Sequence, residues 1–180
     1  MQSIKYYFKS SAILLLFTHG INFFAQTKQK AIDISGFRDS AHHWKDITDH
    51  EQVIEPLKDQ KKYSATAVKE IANNILLYQQ PNGGWPKNYD MLAILTDDQK
   101  QVLSEHKDSD RTTFDNGATY SQIEYLAKAY STIKDVRYKD AALKGINFIL
   151  IAQYSNGGWP QFWPDTSGYR KYITFNDGAM

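Results

Sequence analysis

Apolar positions recur at helical spacing in three stretches of this chain, and turn signals separate the stretches. Val68, Ile71, Ala72, Ile75 and Leu76 form the first series. It predicts a helix ending near Gln79, because Pro81 disfavours helical geometry at Gln80 and Asn82-Gly83 supplies a turn. Ser64 or Thr66 is the expected cap at its start. Tyr120, Ile123, Leu126, Ala127 and Tyr130 form the second series, with Asp115 or Asn116 as the expected cap. Tyr138, Ala141, Ala142, Ile146, Ile149 and Ala152 form the third. Between the first two, Thr96-Asp97-Asp98-Gln99 has the form of a capping box and predicts a short helix towards His106. Trp44, Ile47, Val53 and Ile54 allow an amphipathic reading of residues 44–57, and the alternation over residues 169–175 predicts one short strand. Residues 26–43 are polar and weakly patterned and read as a flexible lead-in.

The predicted elements fall into a repeat. Asn82-Gly83-Gly84-Trp85-Pro86 recurs unchanged as Asn156-Gly157-Gly158-Trp159-Pro160, each after a glutamine-bearing apolar helix. A second phrase follows each copy: Phe114-Asp115-Asn116-Gly117-Ala118 and Phe175-Asn176-Asp177-Gly178-Ala179. A whole supersecondary unit is therefore duplicated, which points to stacked helix pairs with the loops gathered at one end. Such an end, rich in Trp, Asp and Asn, suits a carbohydrate-processing cleft. The second phrase stops at Met180, and a helix needs about a dozen residues even to be marginal alone. The chain is therefore expected to be the N-terminal part of a longer protein.

Composition narrows the classes. Lys5 and Lys9 precede apolar residues 12–17 and 21–24, interrupted by Thr18, His19 and Gly20 and ending at Ala25. This reads as an export signal over residues 1–25 rather than a membrane span. Its removal takes two lysines and no acids, leaving 19 basic against 20 acidic residues and a net charge of −1. No basic surplus marks a nucleic-acid binder. With no cysteine there is no disulfide scaffold, no cysteine catalysis and no lipid anchor attached at a processed N-terminal cysteine. A secreted or periplasmic, monomeric protein without a stable membrane anchor is expected. Aromatic residues make up 14 % of the chain, with 12 Tyr and 4 Trp. Their rings suit stacking on sugars as well as packing in a core.

Two kinds of residue carry candidate chemistry. Asp115-Asn116 and Asn176-Asp177 offer oxygen donors of the kind a hard cation such as calcium takes, although the same residue types are ordinary helix caps. Lys87, Arg111, Arg170 and Lys171 flank the repeated loops and are candidates for an acidic substrate, or simply solvated surface charges. Trp85 and Trp159 either plug the ends of helix pairs or stack on sugar, and Trp163, less constrained by the repeat, is the better stacking candidate. His42-His43, His50 and His106 are scattered without metal-binding spacing, and neither a nucleophile elbow nor a phosphate-binding loop occurs.

The strings NGGWPKNY (residues 82–89), TFDNGAT (113–119), QYSNGGWPQFW (153–163) and TFNDGAM (174–180), in this order, closely resemble the pectate lyases of polysaccharide lyase family 10. The resemblance covers residues 44–180 and implies one domain, an all-α irregular α/α toroid of helix pairs with long loops. It also implies calcium-assisted β-elimination of polygalacturonate. In that family, aspartates matching Asp115 and Asp177 lie at the substrate and calcium centre. An arginine downstream of the second motif is the base, which places it beyond Met180, so this stretch alone is expected to be inactive. The expected substrate contacts are Asp115, Trp163, Lys87, Arg111, Arg170 and Lys171; the expected calcium ligands are Asp177, Asp115, Asn116 and Asn176. A non-catalytic pectin-binding protein is the alternative. A more distant one is a terpene-cyclase-like toroid, since Gln80-x-x-Gly83-x-Trp85 and Gln153-x-x-x-Gly157-x-Trp159 resemble its Gln-Trp repeats; no Asp-x-Asp-Asp motif supports it.

Overall fold

The computed structural model describes residues 30–47, 52–107 and 111–173. The export segment, His50, Asn176 and Asp177 lie outside them. Among the described residues there are five α-helices, in order α1 (Arg38–Asp46), α2 (Val68–Tyr78), α3 (Asp97–Glu105), α4 (Tyr120–Ile133) and α5 (Val136–Ala152), with 3₁₀ turns at Ser35–Phe37, Asp115–Gly117 and Gly168–Lys171. Among the described residues there are no strands, only isolated bridges pairing Lys62 with Ala93 and Thr113 with Phe162. The all-α class is thus the one expected. No helix among the described residues is long and apolar enough to cross a membrane.

Helix α2 follows the predicted apolar stripe. Val68, Ile71, Ala72, Ile75 and Tyr78 are each at most 1 % exposed. It ends where Gln79 turns extended, two residues before Pro81. Neither Ser64 nor Thr66 caps it. The Thr66 N–H instead donates to Ser64 Oγ within a tight turn closed by Ala67 N–H on Ser64 O. The capping box of α3 forms as expected: Gln99 N–H donates to Thr96 Oγ1 and Thr96 N–H to Gln99 Oε1. The amphipathic segment expected over residues 44–57 is helical only over 44–46; residues 48–51 lie outside the described residues, and 52–57 are irregular. Helix α1 runs from Arg38 to Asp46, and Phe37 and Trp44 are buried in the core.

Helices α4 and α5 are joined by two residues, Lys134 and Asp135. Lys134 adopts a left-handed conformation (φ 64°) and its N–H donates to Tyr130 O; Asp135 accepts from Arg137 N–H and caps α5. The pair packs as an antiparallel hairpin. Gly145 lies midway along α5, where a methyl group would collide with Ile123 and the Trp85 ring. The cost of a mid-helix glycine is offset there by close approach. One apolar core spans α2, α4 and α5 and takes in Trp85, Tyr89 and Met91 from the loop between α2 and α3. A smaller cluster of Phe114, Phe148 and Ala152, flanked by Trp159 and Trp163, lies beside it. The outer side of α5 is uncovered: Leu143, Ile146, Leu150 and Ile151 are 43–63 % exposed.

Two expectations fail in this part of the chain. Residues 169–171 form a 3₁₀ turn rather than a strand, and the alternation that suggested one places Tyr169 and Lys171 in solvent. Asp115 and Asn116 do not cap α4. A separate turn holds them, and Asn116 (φ 51°) and Thr119 (φ 71°) redirect the chain before α4 begins at Tyr120.

Candidate functional site

The two NGGWP turns repeat almost bond for bond. Gln79 Nε2 donates to Gly83 O at 2.9 Å, and Gln153 Nε2 to Gly157 O at 2.9 Å. Gly84 N–H donates to Asn82 Oδ1, Gly158 N–H to Asn156 Oδ1. Trp85 Nε1 donates to Ile75 O and Trp159 Nε1 to Ile149 O, both at 2.8 Å. Each indole therefore satisfies a carbonyl ten residues upstream in its own helix, an orphan acceptor of the kind every helix end leaves. The glutamine of the first copy is Gln79; the Gln80 used for the Gln-Trp spacing is one position off. Trp85 is fully buried and Trp159 half-buried, so both act as plugs.

The copies diverge immediately after proline, and chemistry collects there. Lys87 follows Pro86, whereas Gln161 follows Pro160. Lys87 Nζ lies 2.7 Å from Asp115 Oδ2, with 10 % and 6 % of the two side chains exposed. A charge pair this dry is held together because either charge alone would be costly to bury. Asn116 Nδ2 donates to Asn88 Oδ1 at 2.8 Å. Both loops are pinned to the same segment: Thr113 N–H donates to Trp85 O, Phe114 N–H to Gln161 O, and Trp163 N–H to Thr112 O. Thr119 Oγ1 donates to Thr113 O and accepts from Trp85 N–H.

Among the described residues, four non-glycine residues have positive φ. Three of them, Asn88 (60°), Asn116 (51°) and Thr119 (71°), are buried beside this ion pair; the fourth is the cap Lys134. Each such conformation costs on the order of 1–3 kcal/mol and persists where the surroundings over-determine it, which is the habit of functional sites.

Several expected site residues thus come together. Lys87 and Asp115 meet directly, and Asn116 is tied to Asn88, the residue after Lys87. Arg170 reaches the same place through Phe162, its guanidinium 5.0 Å from the ring centroid, and pairs with Asp165 at 2.5 Å. Trp163 is partly exposed, on the edge of the smaller apolar cluster. Arg111 is exposed at the head of the segment that carries Asp115. Lys171 stands apart, exposed, with Nζ 5.6 Å over the Tyr172 ring. Asn176 and Asp177 fall outside the described residues. Sequence reasoning missed Asn88, Thr113, Thr119 and Phe162. The departure between the two copies, Lys87-Asn88 against Gln161-Phe162, was the signal for two of them.

For a calcium ion the described donors fit in kind. Asp115 and Asn116 present hard oxygen atoms, the type calcium takes. They do not fill a shell of six to eight oxygens, and among the described residues no three acidic or histidine side chains converge. Asp165, the partner of Arg170, is an acid whose titration is shifted. The Ser167 backbone N–H, then the Ser167 hydroxyl and Arg170, hold its carboxyl below the usual carboxylate value.

A family model described as pectic acid lyase matches residues 79–180. No curated protein matches. Among solved structures, the family 10 polysaccharide lyase from Cellvibrio cellulosa is similar, with 28% identity over 84% of this chain and 39% of that one, at a TM-score of 0.54. An aspartate-to-alanine variant of a family 10 lyase from the same organism, in complex with trigalacturonic acid, is 36% identical over 63% of this chain and 32% of that one, also at 0.54. This chain spans 32% and 39% of the length of those structures.

Proposed function

This chain belongs to the pectic acid lyase family, and from there we propose that it carries the substrate-binding loops of an exported lyase cleaving polygalacturonate by calcium-assisted β-elimination. The observation that supports this most is the buried Lys87–Asp115 pair, set where both NGGWP loops meet one segment and beside Arg170. A uronate polymer carries one carboxylate per sugar. Its recognition needs fixed cations, and its C5 proton becomes acidic only when the neighbouring carboxylate is neutralised.

In the reaction a base removes the C5 proton. The C5–H electron pair becomes the C4–C5 double bond, the C4–O bond breaks, and the departing sugar oxygen takes up a proton. Calcium, when bound, would neutralise the carboxylate at the scissile sugar. Asp115 and Asn116, with Asn176 and Asp177, would hold it. Lys87 fixes the Asp115 carboxylate, and Asn88 fixes the Asn116 amide. Lys87, Arg170 and Arg111 would neutralise uronate carboxylates, Trp163 offers a partly exposed ring for stacking, and Lys171 adds charge at the rim. In the family it resembles, the base is an arginine that lies downstream of the motif matching Asn176-Asp177.

Titration calorimetry with trigalacturonate tests the reading. Binding that strengthens with calcium and is absent for neutral trigalactose is the expected result. Equal affinity for the two trisaccharides, or none for either, overturns it.

A further inference from the structure

We infer that Phe162 is a positioning residue for the uronate site, holding Lys87 and Arg170 at one place through its ring face. The ring is 2 % exposed, yet it belongs to neither apolar cluster among the described residues. What lies against it is charge. Lys87 Nζ is 5.3 Å from its centroid and the Arg170 guanidinium 5.0 Å. Both distances fall within the range where the negative face of an aromatic ring attracts a cation. The backbone fixes the ring: Phe162 N–H donates to Arg170 O and the residue bridges to Thr113, two positions before Asp115.

The choice of a ring has a physical reason. Each cation already has a carboxylate, Asp115 for Lys87 and Asp165 for Arg170. A third carboxylate between them would also gather the cations, but it would repel an anionic polymer. A ring quadrupole attracts both without adding net charge. Phe162 therefore ties one cation from each NGGWP loop to a single ring without adding negative charge beside them. This inference rests on the proposed lyase reading for the identity of the ligand, and on the geometry alone for the placement of the cations.

The test compares the wild-type chain with F162L, which keeps an apolar side chain, and F162Y, which keeps a ring. In ligand-free NMR spectra the Lys87 side-chain resonances should show a ring-current shift in wild type and F162Y that vanishes in F162L. Calorimetry with trigalacturonate should show binding about tenfold weaker in F162L, the order expected for a desolvated cation–π contact. F162Y should remain within about threefold of wild type on the same scale. Normal affinity in F162L, or an F162Y as weak as F162L, overturns the inference. So does a wild type that binds trigalacturonate without any Lys87 shift, an outcome that leaves the lyase reading standing. A wild type with the Lys87 shift but no affinity for trigalacturonate refutes the lyase reading and takes the ligand half of the inference with it.

Discussion

At the scale of single residues, the site is defined by groups whose cost is met only by one another. Lys87 and Asp115 are the clearest pair. Removing one partner strands a nearly buried charge, so K87M and D115A are each expected to cost about 3 kcal/mol in urea unfolding, the usual order for a broken buried pair. The double variant should cost clearly less than the two single losses together, because neither charge is then stranded. Additive losses would show that the two groups do not depend on each other. Asn88 is bound by geometry as well as by its bond to Asn116. N88A should destabilise by about 1–3 kcal/mol, since alanine tolerates φ 60° poorly and leaves the Asn116 amide without that partner. Asp165 supplies a pH response. Its carboxyl is held below the ordinary value of 3.8, so its contribution is complete above that pH and is lost as pH falls through the lowered value. The Ser167 amide resonance should move in that acid window, and D165N should abolish the movement. Sequence reading found Lys87 and Asp115 because charged residues beside a repeat stand out. It missed Thr119 and Asn88, whose importance lies in backbone angles and tertiary bonds that no local pattern encodes.

At the scale of elements, local signals were legible and tertiary ones were not. The Thr96 capping box closed as written, because its partners are three residues apart. The cap of α4 was misread, because Thr119 is held by Trp85 and Thr113 from elsewhere in the chain, and Asp115 turns away to Lys87. The duplicated turns offer a controlled comparison of local and tertiary demand. Gly83 and Gly157 share positive φ, 97° and 88°, so both resist a side chain. A methyl group on Gly83 would also meet the Lys144 carbonyl of α5, whereas among the described residues nothing lies within 4 Å of the same position on Gly157. G157A should therefore cost about 1 kcal/mol, the left-handed penalty alone. G83A should exceed about 3 kcal/mol, since backbone overlap adds to that penalty. Thermal unfolding of the two variants side by side would decide it, and equal losses would show that α5 does not press on the first turn.

At the scale of the whole molecule, the two copies differ in what covers them. Leu76 and Leu77 on α2 are half-buried against the core. Their counterparts on α5 in the repeat register, Leu150 and Ile151, are 63 % and 59 % exposed, and Leu143 and Ile146 extend the stripe along the same helix. The outer face of the second unit thus has the chemistry of a buried surface without the cover the first one has. Apolar surface left in water forgoes roughly 25 cal/mol for each Å², and contiguous patches beyond a few hundred Å² are uncommon on isolated domains. Against a typical margin of about 5–15 kcal/mol, such a patch is a considerable share. The chain on its own is therefore expected to self-associate and to bind a hydrophobic dye, with both effects growing with concentration. Replacing Leu150 and Ile151 by lysine should suppress both without lowering the melting temperature, because neither side chain contributes to either cluster. Light scattering and dye fluorescence on the two proteins provide the measurement. A wild-type chain that stays monomeric and dark across the concentration range would show that this face needs no cover.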